Sequence, residues 1–382
     1  MKIGIVVPFS WSFWGGVSEH AELQGDALRR LGLEVRTIMG NDPPGTFTRV
    51  LHPRHGREGT PPPDILPVGR SVIVPANGSL PNIVLSPRTP LRIKRILARE
   101  QFDVLHLHEP MTPAICVATL ALAKCPVVAT FHAAGDLGWH RVGLPLWGFL
   151  MDRIDHRIAA SEQARDSVVR WLPGEYEVIP NGVLIPVEAD AAGREHRIVF
   201  IGRHDPRKGM PILLRAWPQV HRQTGAHLRL VGADPLAVRL LLARHGVRDD
   251  GIDVLGFLPQ EELTAELLSA KALVAPSVGM ESFGMVLTRA FACATPVVAS
   301  DIAGYRAVMT SDTGLLVPPG DPAALAQGLI AILEDEPRRR AFGAAAREVA
   351  RERYSWDAIA RRLASIYELL GERSAETVAA RG

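Results

Sequence analysis

Short runs of aliphatic and β-branched residues alternate along the chain with longer stretches whose apolar positions recur at helical spacing. Residues 3–7, 35–39, 104–108, 127–131 and 157–160 are strand candidates in the first half, and residues 198–201, 228–231, 254–255, 272–275 and 297–299 in the second. Runs this short, separated by helical patterns, describe parallel strands covered by helices on both faces. Two successive series predict an α/β protein with two doubly wound domains.

The junction is visible in the pattern. IPNGVLIPVEADAAGREHR, residues 179–197, holds Pro, Gly, Ala and charges with no period, and RIVFIG then restarts a strand. This places the boundary near Ala191, between an N-terminal domain of residues 1–190 and a C-terminal domain of residues 191–382. Residues 41–66, rich in Pro and Gly, read as a mobile surface loop. No repeat of solenoid period is present. In RYSWDAIARRLASIYELL, Ser355 can cap a helix whose Trp356, Ile359, Leu363, Ile366 and Leu370 recur on one face. The last dozen residues, GERSAETVAARG, read as a frayed tail.

Composition agrees with this picture. The chain has 382 residues, enough for two domains at roughly 100–200 residues each. A net charge of +2 does not indicate a nucleic-acid partner. Cys116, Cys125 and Cys293 lie in apolar runs without metal-ligand spacing, as buried thiols of a reducing compartment do. The apolar core of MKIGIVVPFS is too short for a signal peptide, and no apolar run reaches a membrane span. The expected location is cytoplasmic, with peripheral membrane contact left open.

Five stretches carry candidate chemistry. In WGGVSEHA, residues 14–21, Gly15 and Gly16 follow a strand and open a helix, where backbone amides can approach a phosphate or sugar; a plain tight turn is the alternative. In GRHDPRKGM, Gly202 ends a strand and Arg203, Arg207 and Lys208 fall at the C-terminal edge of a parallel sheet, where ligands bind in this architecture. Cations there suit a diphosphate, although a solvated basic loop has the same composition. Glu281 precedes a helical pattern, and the amides of Phe283 and Gly284 at its start favour an anion. Glu281 can accept from sugar hydroxyls or cap the helix.

His132, ending ATFH, can bond a substrate hydroxyl, titrate near neutral pH, or serve structure alone. His106, His108 and Glu109 alternate along an extended strand with no further ligand apparent, so no metal site is expected. Finally, RTPLRIKRILARE reads as a helix capped by Thr89, with Pro90 in its first turn. Arg92, Arg95 and Arg99 share one face with Lys94 beside it, as at an anionic lipid surface or on an ordinary solvated helix face.

Taken in order, GGVSEH, DVLHLHEP, VATFH, IPNGV, GRHDPRKGM, ESFGMVL and TGLLVPPGDP resemble family 4 glycosyltransferases of the GT-B fold, over nearly the whole chain. Within that family the VPANGS stretch, the HEP turn and the basic helix resemble the phosphatidylinositol mannosyltransferases. The resemblance implies two Rossmann-like domains facing a central cleft, the first for acceptor and the second for donor. The C-terminal helix is expected to pack back on the first domain, and the cleft to close by a hinge around ligand.

The resemblance also implies a retaining hexosyltransferase that needs no cofactor and no metal, with GDP-mannose or a UDP-sugar as donor. Its acceptor would be lipid-linked, at the inner face of a membrane. Arg203 and Lys208 would hold the diphosphate, Glu281 the sugar hydroxyls, and the Phe283 and Gly284 amides the sugar–phosphate end. Gly16 would admit acceptor and diphosphate, and His132 would bond the sugar. Four positions depart from the pattern. Arg289 stands where the family has a second glutamate accepting from ribose, and arginine cannot accept. Phe9 and Ser18 replace more polar acceptor-site residues, and Ala294 replaces a turn glycine. A soluble acceptor, or a degenerate protein that holds a nucleotide sugar without turnover, is the alternative.

Overall fold

The computed structural model describes residues 1–13, 15–46, 48, 52, 57, 59–74, 82–132, 148–189, 193–202, 205–279, 281 and 283–379, with side chains through Arg373. The chain forms two compact units, Met1–Gly182 with Trp356–Gly382, and Val183–Ser355.

In the first unit the order is β1 (Lys2–Ser10), α1 (Gly16–Arg30), β2 (Glu34–Gly40), β3 (Ile65–Pro67), β4 (Ser71–Ile73), β5 (Asn82–Val84), α2 (Thr89–Glu100), β6 (Val104–His108), α3 (Ile115–Leu122), β7 (Val127–Phe131), β8 (His156–Ala159), α4 (Glu162–Val169) and β9 (Glu177–Val178). The strands run β3-β2-β1-β6-β7-β8-β9, and these pairs are parallel. β5 is antiparallel to β1, with Phe9 opposite Ile83. Strand order reverses beside β1, so the loops after β1 and β6 open a crevice at the C-terminal sheet edge, the place where doubly wound sheets bind ligands.

The second unit runs β10 (Glu195–Ile201), α5 (Met210–Thr224), β11 (His227–Val231), α6 (Pro235–His245), β12 (Ile252–Gly256), α7 (Gln260–Ser269), β13 (Ala270–Ala275), α8 (Met285–Ala292), β14 (Val297–Ser300), α9 (Ala303–Arg306), β15 (Gly314–Val317), α10 (Pro322–Glu334) and α11 (Glu336–Val349). Its strands, in the order β12-β11-β10-β13-β14-β15, are all parallel. Here the order reverses between β10 and β13, and the loops after those two strands carry Lys208 and Glu281.

Each sheet is packed on both faces, as its continuous apolar strands require. On one face of the second sheet, Ile198 and Phe200 pack with Trp217 and Leu329; on the other, Val199 and Leu273 pack with Leu287 and Phe291. The last helix, α12 (Trp356–Ala379), belongs to the first unit. Its Trp356, Ile359, Leu363, Ile366 and Leu370 join Ile3, Ile5, Leu28 and Val128 in one core.

The structure corrects several readings. Residues 183–189 go with the second unit, not the first. Val183 N donates to Tyr354 O at 2.7 Å, and the Arg347 guanidinium donates to Pro186 O at 2.6 Å and Val187 O at 3.3 Å. Composition could not show these long-range bonds. The tail is helical through Ala379 rather than frayed from Gly371. Thr89 does not cap α2: its hydroxyl is buried without a partner, and Arg88 holds the cap position. In the segment read as a mobile surface loop, Asp42 and His52 are buried. Ser71 donates to Asp42 from its backbone at 3.1 Å and its hydroxyl at 2.7 Å. Ala294 has φ 52°, a left-handed conformation that costs about 1–2 kcal/mol for a residue with a Cβ, which explains why a glycine suits that turn.

Candidate functional site

In the second unit, the site is built where β10 and β13 end. A short 3-10 turn, Pro206–Lys208, follows β10. Asp205 opens it by accepting from Arg207 N at 2.9 Å, and its carboxylate also accepts from the Arg207 guanidinium at 2.6 Å. Arg207 is thereby turned onto Asp205 and holds Asp205 ionised below the usual carboxylate range. Lys208 points the other way and donates to Glu281 Oε1 across the two loops. The loops are also stitched by Val278 N donating to Arg207 O at 2.8 Å.

Two glycines allow this closeness. Gly209 has φ 71°, and a Cβ there would lie 1.8 Å from Pro276 O. A Cβ on Gly304 would lie 2.1 Å from Glu281 O, so α9 can back directly onto the Glu281 main chain. Tyr305 completes the backing. Its hydroxyl lies 2.7 Å from Ser277 Oγ, and burial, with the Glu281 charge nearby, pushes its pKa up.

Glu281 is not a helix cap. Gly284, at φ 72°, holds the cap position of α8. The Phe283 ring is buried against Tyr354, centroids 5.6 Å apart, so only its main chain is available to a ligand. The first amides of α8 have no intrahelical acceptor by construction, and they lie beside Glu281. Arg289 lies in the last turn of the same helix and is half-buried. Gly202, the residue just after β10, donates from its N–H to Val231 O at 2.9 Å. Arg203 lies outside the described residues.

In the first unit, Gly16 opens α1, and among the described residues a Cβ there would meet nothing within 4 Å apart from its chain neighbours and its own helix backbone. Packing therefore does not demand a glycine at this position. Ser18 is buried on the same helix, and Phe9 sits half-buried near the end of β1. His132 follows β7. Its backbone N–H donates to Glu109 Oε1 at 2.9 Å, and its Nε2 lies 2.9 Å from His108 Nδ1. The reading of His132 as titrating near neutral pH is corrected: burial lowers its pKa to about 4, so the ring is neutral.

Sequence reasoning weighed His106 and His108 together with Glu109 and took His132 by itself, and the fold brings these histidines together with His20. His106 and His108 sit two residues apart on one side of β6 and stack, with centroids 4.8 Å apart. His20 comes from α1 and stands edge-on to His108 and His132. The only hint in sequence was a histidine in GGVSEH, four residues past a glycine pair.

On α2, the cations are not equivalent. Arg92 donates to Val68 O at 3.0 Å, and Arg99 is paired with Glu100 at 2.6 Å. Lys94 and Arg95 are exposed, and no hydrogen bond or ion pair holds either among the described residues. Among the described residues, no helix is long and apolar enough to cross a membrane.

Two parallel-sheet units of this kind, with cation and carboxylate meeting at a sheet switch point, define a two-domain GT-B architecture. Solved structures of that architecture superpose over nearly the whole chain. Anabaena Alr3699/HepE, solved in complex with UDP and glucose, gives a TM-score of 0.70 at 19% identity over 96% of this chain and 99% of its own. Sucrose-phosphate synthase from Thermosynechococcus elongatus gives 0.71 at 22% identity over 97% and 99%.

The chain belongs to glycosyltransferase family 4. The family model described as Glycosyltransferase Family 4 matches residues 14–184, and that described as Glycosyl transferases group 1 matches residues 195–335. The phosphatidyl-myo-inositol mannosyltransferase of Mycobacterium leprae is 35% identical over 96% of both chains. That of Mycobacterium tuberculosis is 34% identical over 98% of this chain and 99% of its own.

Proposed function

We propose that this protein transfers a hexose, mannose before others, from a nucleotide sugar to a lipid-linked acceptor with retention of configuration. The observation that carries the reading is the Lys208–Glu281 pair fixed at the switch point of the second sheet, in a chain 35% identical to a phosphatidyl-myo-inositol mannosyltransferase. An ammonium has three donors. One serves Glu281, and two remain for diphosphate oxygens. The second Glu281 oxygen accepts from a sugar hydroxyl. Charge grows on the departing diphosphate, and Lys208, with Arg203, stabilises it there without a metal. The amides of Phe283 and Gly284 receive the sugar–phosphate end. Neutral His132 bonds the sugar, and Gly16 leaves room for the diphosphate and acceptor. In same-face attack, the acceptor hydroxyl gives its proton to the departing phosphate oxygen, which accounts for the lack of a protein nucleophile in the scheme.

Arg289 sets the nucleotide mode in this reading, because it can donate to ribose or phosphate oxygens but accept from neither. Arg289→Glu is expected to change affinity for GDP relative to UDP by roughly tenfold to a hundredfold, the weight of a hydrogen bond to a charged group. Calorimetry with both nucleotides, with and without magnesium, tests this. Identical affinities in parent and variant remove Arg289 from the ribose site.

Approach to a lipid acceptor falls to the exposed cations of α2. Neutralising Lys94 and Arg95 together should weaken binding to phosphatidylserine vesicles about thirtyfold, at about 1 kcal/mol per charge. Unchanged sedimentation with vesicles would favour a soluble acceptor.

A further inference from the structure

We propose that His20, His108 and His132 form a three-imidazole site for a transition-metal cation of the zinc class. The three residues come from α1, the end of β6 and the end of β7, and one ring nitrogen from each lies within 4.8 Å of the other two. His108 Nδ1 and His132 Nε2 are already 2.9 Å apart. Zinc–imidazole bonds of about 2.0–2.1 Å at the tetrahedral angle place neighbouring nitrogens about 3.3 Å apart, so the ion requires this pair to open by a few tenths of an ångström and the His20 ring to move in from within 4.8 Å.

The nitrogens are also in need of partners. Buried imidazole nitrogens are ordinarily hydrogen-bonded. Here His20 Nδ1 is buried and has none; His108 Nε2 is also buried without a partner, but the His108 nitrogen that meets His132 is Nδ1. His106, stacked on His108, marks the contrast. Its Nδ1 lies 2.6 Å from the Tyr367 hydroxyl and its Nε2 2.7 Å from Thr130 Oγ1, so it is committed to the core.

Ligand chemistry selects the ion. Three neutral nitrogens suit Zn²⁺ and its neighbours, whereas Mg²⁺ and Ca²⁺ require oxygen ligands. Glu109, the adjacent carboxylate, is tied to the His132 backbone. Three protein ligands leave a fourth position open. The half-buried His132 supplies the entrance, and the Trp356 ring, 4.9 Å from that of His20, forms a wall.

Occupancy has a consequence that rests on the role proposed for His132. An imidazole bound to the cation through the nitrogen that meets the sugar cannot also hydrogen-bond it, so zinc is expected to inhibit transfer. Binding itself does not depend on that role.

The test is titration of the metal-stripped full chain with zinc chloride against a chromophoric chelator, with magnesium chloride as the comparison. The expected result is one zinc per chain and no competition by magnesium. His20→Ala and His132→Ala should each weaken zinc binding by about 100-fold or more, at least the effect of losing a supporting partner. His227→Ala, exposed at the start of β11 in the second unit, should not. His20→Asn, checked by circular dichroism, replaces His20→Ala if that variant does not fold. Equal zinc affinity in the parent, a folded His20 variant and His132→Ala overturns the site, as does failure to bind one equivalent. Stoichiometric binding with undiminished sugar transfer supports the site and removes His132 from the sugar contact.

Discussion

Replacing Lys208 with methionine is expected to lower kcat by about 100- to 1,000-fold, the effect of removing one preorganised donor from a transition-state charge. Two consequences of the geometry combine. In the proposed scheme the diphosphate loses a cation, and Glu281, whose side chain is only 13% exposed, loses its partner and is left as an uncompensated negative charge. Glu281→Gln in the Lys208→Met background should therefore recover part of the activity by removing the repulsion. Stability should fall as well, because the largely buried Glu281 carboxylate is left without its counter-ion, and Glu281→Gln should recover that loss too. Sugar-transfer kinetics with the melting temperature of each variant reads both quantities. A kcat within threefold of the parent would remove Lys208 from the diphosphate.

Acid should destabilise the first unit steeply. Burial lowers the pKa of His106 to about 3 and of His132 to about 4, and it pushes His20 and His108 down as well; for His20, His106 and His108 the neighbouring imidazoles add to the effect. Above about pH 6.5 these rings are neutral whether the chain is folded or unfolded, and they add no pH dependence. Below it, the unfolded chain takes up protons that the folded chain refuses, so stability falls as pH falls. The decline continues until pH passes the folded values. Each imidazole held neutral contributes up to about 1.4 kcal/mol per pH unit once the pH is well below 6.5, and the buried rings of His20, His106 and His108 all act in the same direction. Urea midpoints measured from pH 7.5 to 5 should drop accordingly. A flat profile across that range would show that the rings accept protons without unfolding.

Much of the architecture was legible because it depends on local period. Every strand candidate falls on or overlaps an observed strand, since a strand buried on both faces must be apolar at consecutive positions. The elements that escaped are β3, β4 and β5, of three residues each, the two-residue β9, and β15, whose GLLV stands among Pro and Gly. Runs this short have too few positions to display a period, and their pairing partners are distant in sequence. The helical stripe of α12 was equally clear.

At the site, Lys208 and Glu281 were legible individually, because each follows a strand of the second sheet. Their pairing was not, since 72 residues separate them. Arg207 and Lys208 are neighbours with the same charge, and only the fold distinguishes them, by binding one to Asp205 and aiming the other at Glu281. The cations of α2 make the same point: among the described residues, Arg92 and Arg99 are engaged, while Lys94 and Arg95 are not.

By itself, then, the sequence determined two parallel α/β series, the apolar faces that bury them, the strand ends where ligand-binding residues must fall, and family membership. These depend on residue type and short-range spacing, which a linear chain carries explicitly. Tertiary structure alone decided which unit owns residues 183–189, which cation meets Glu281, and that His20, His108 and His132 share one buried corner with neutral rings. Those outcomes depend on long-range proximity and on the removal of water, and both arise only when strands distant in sequence become neighbours in a sheet.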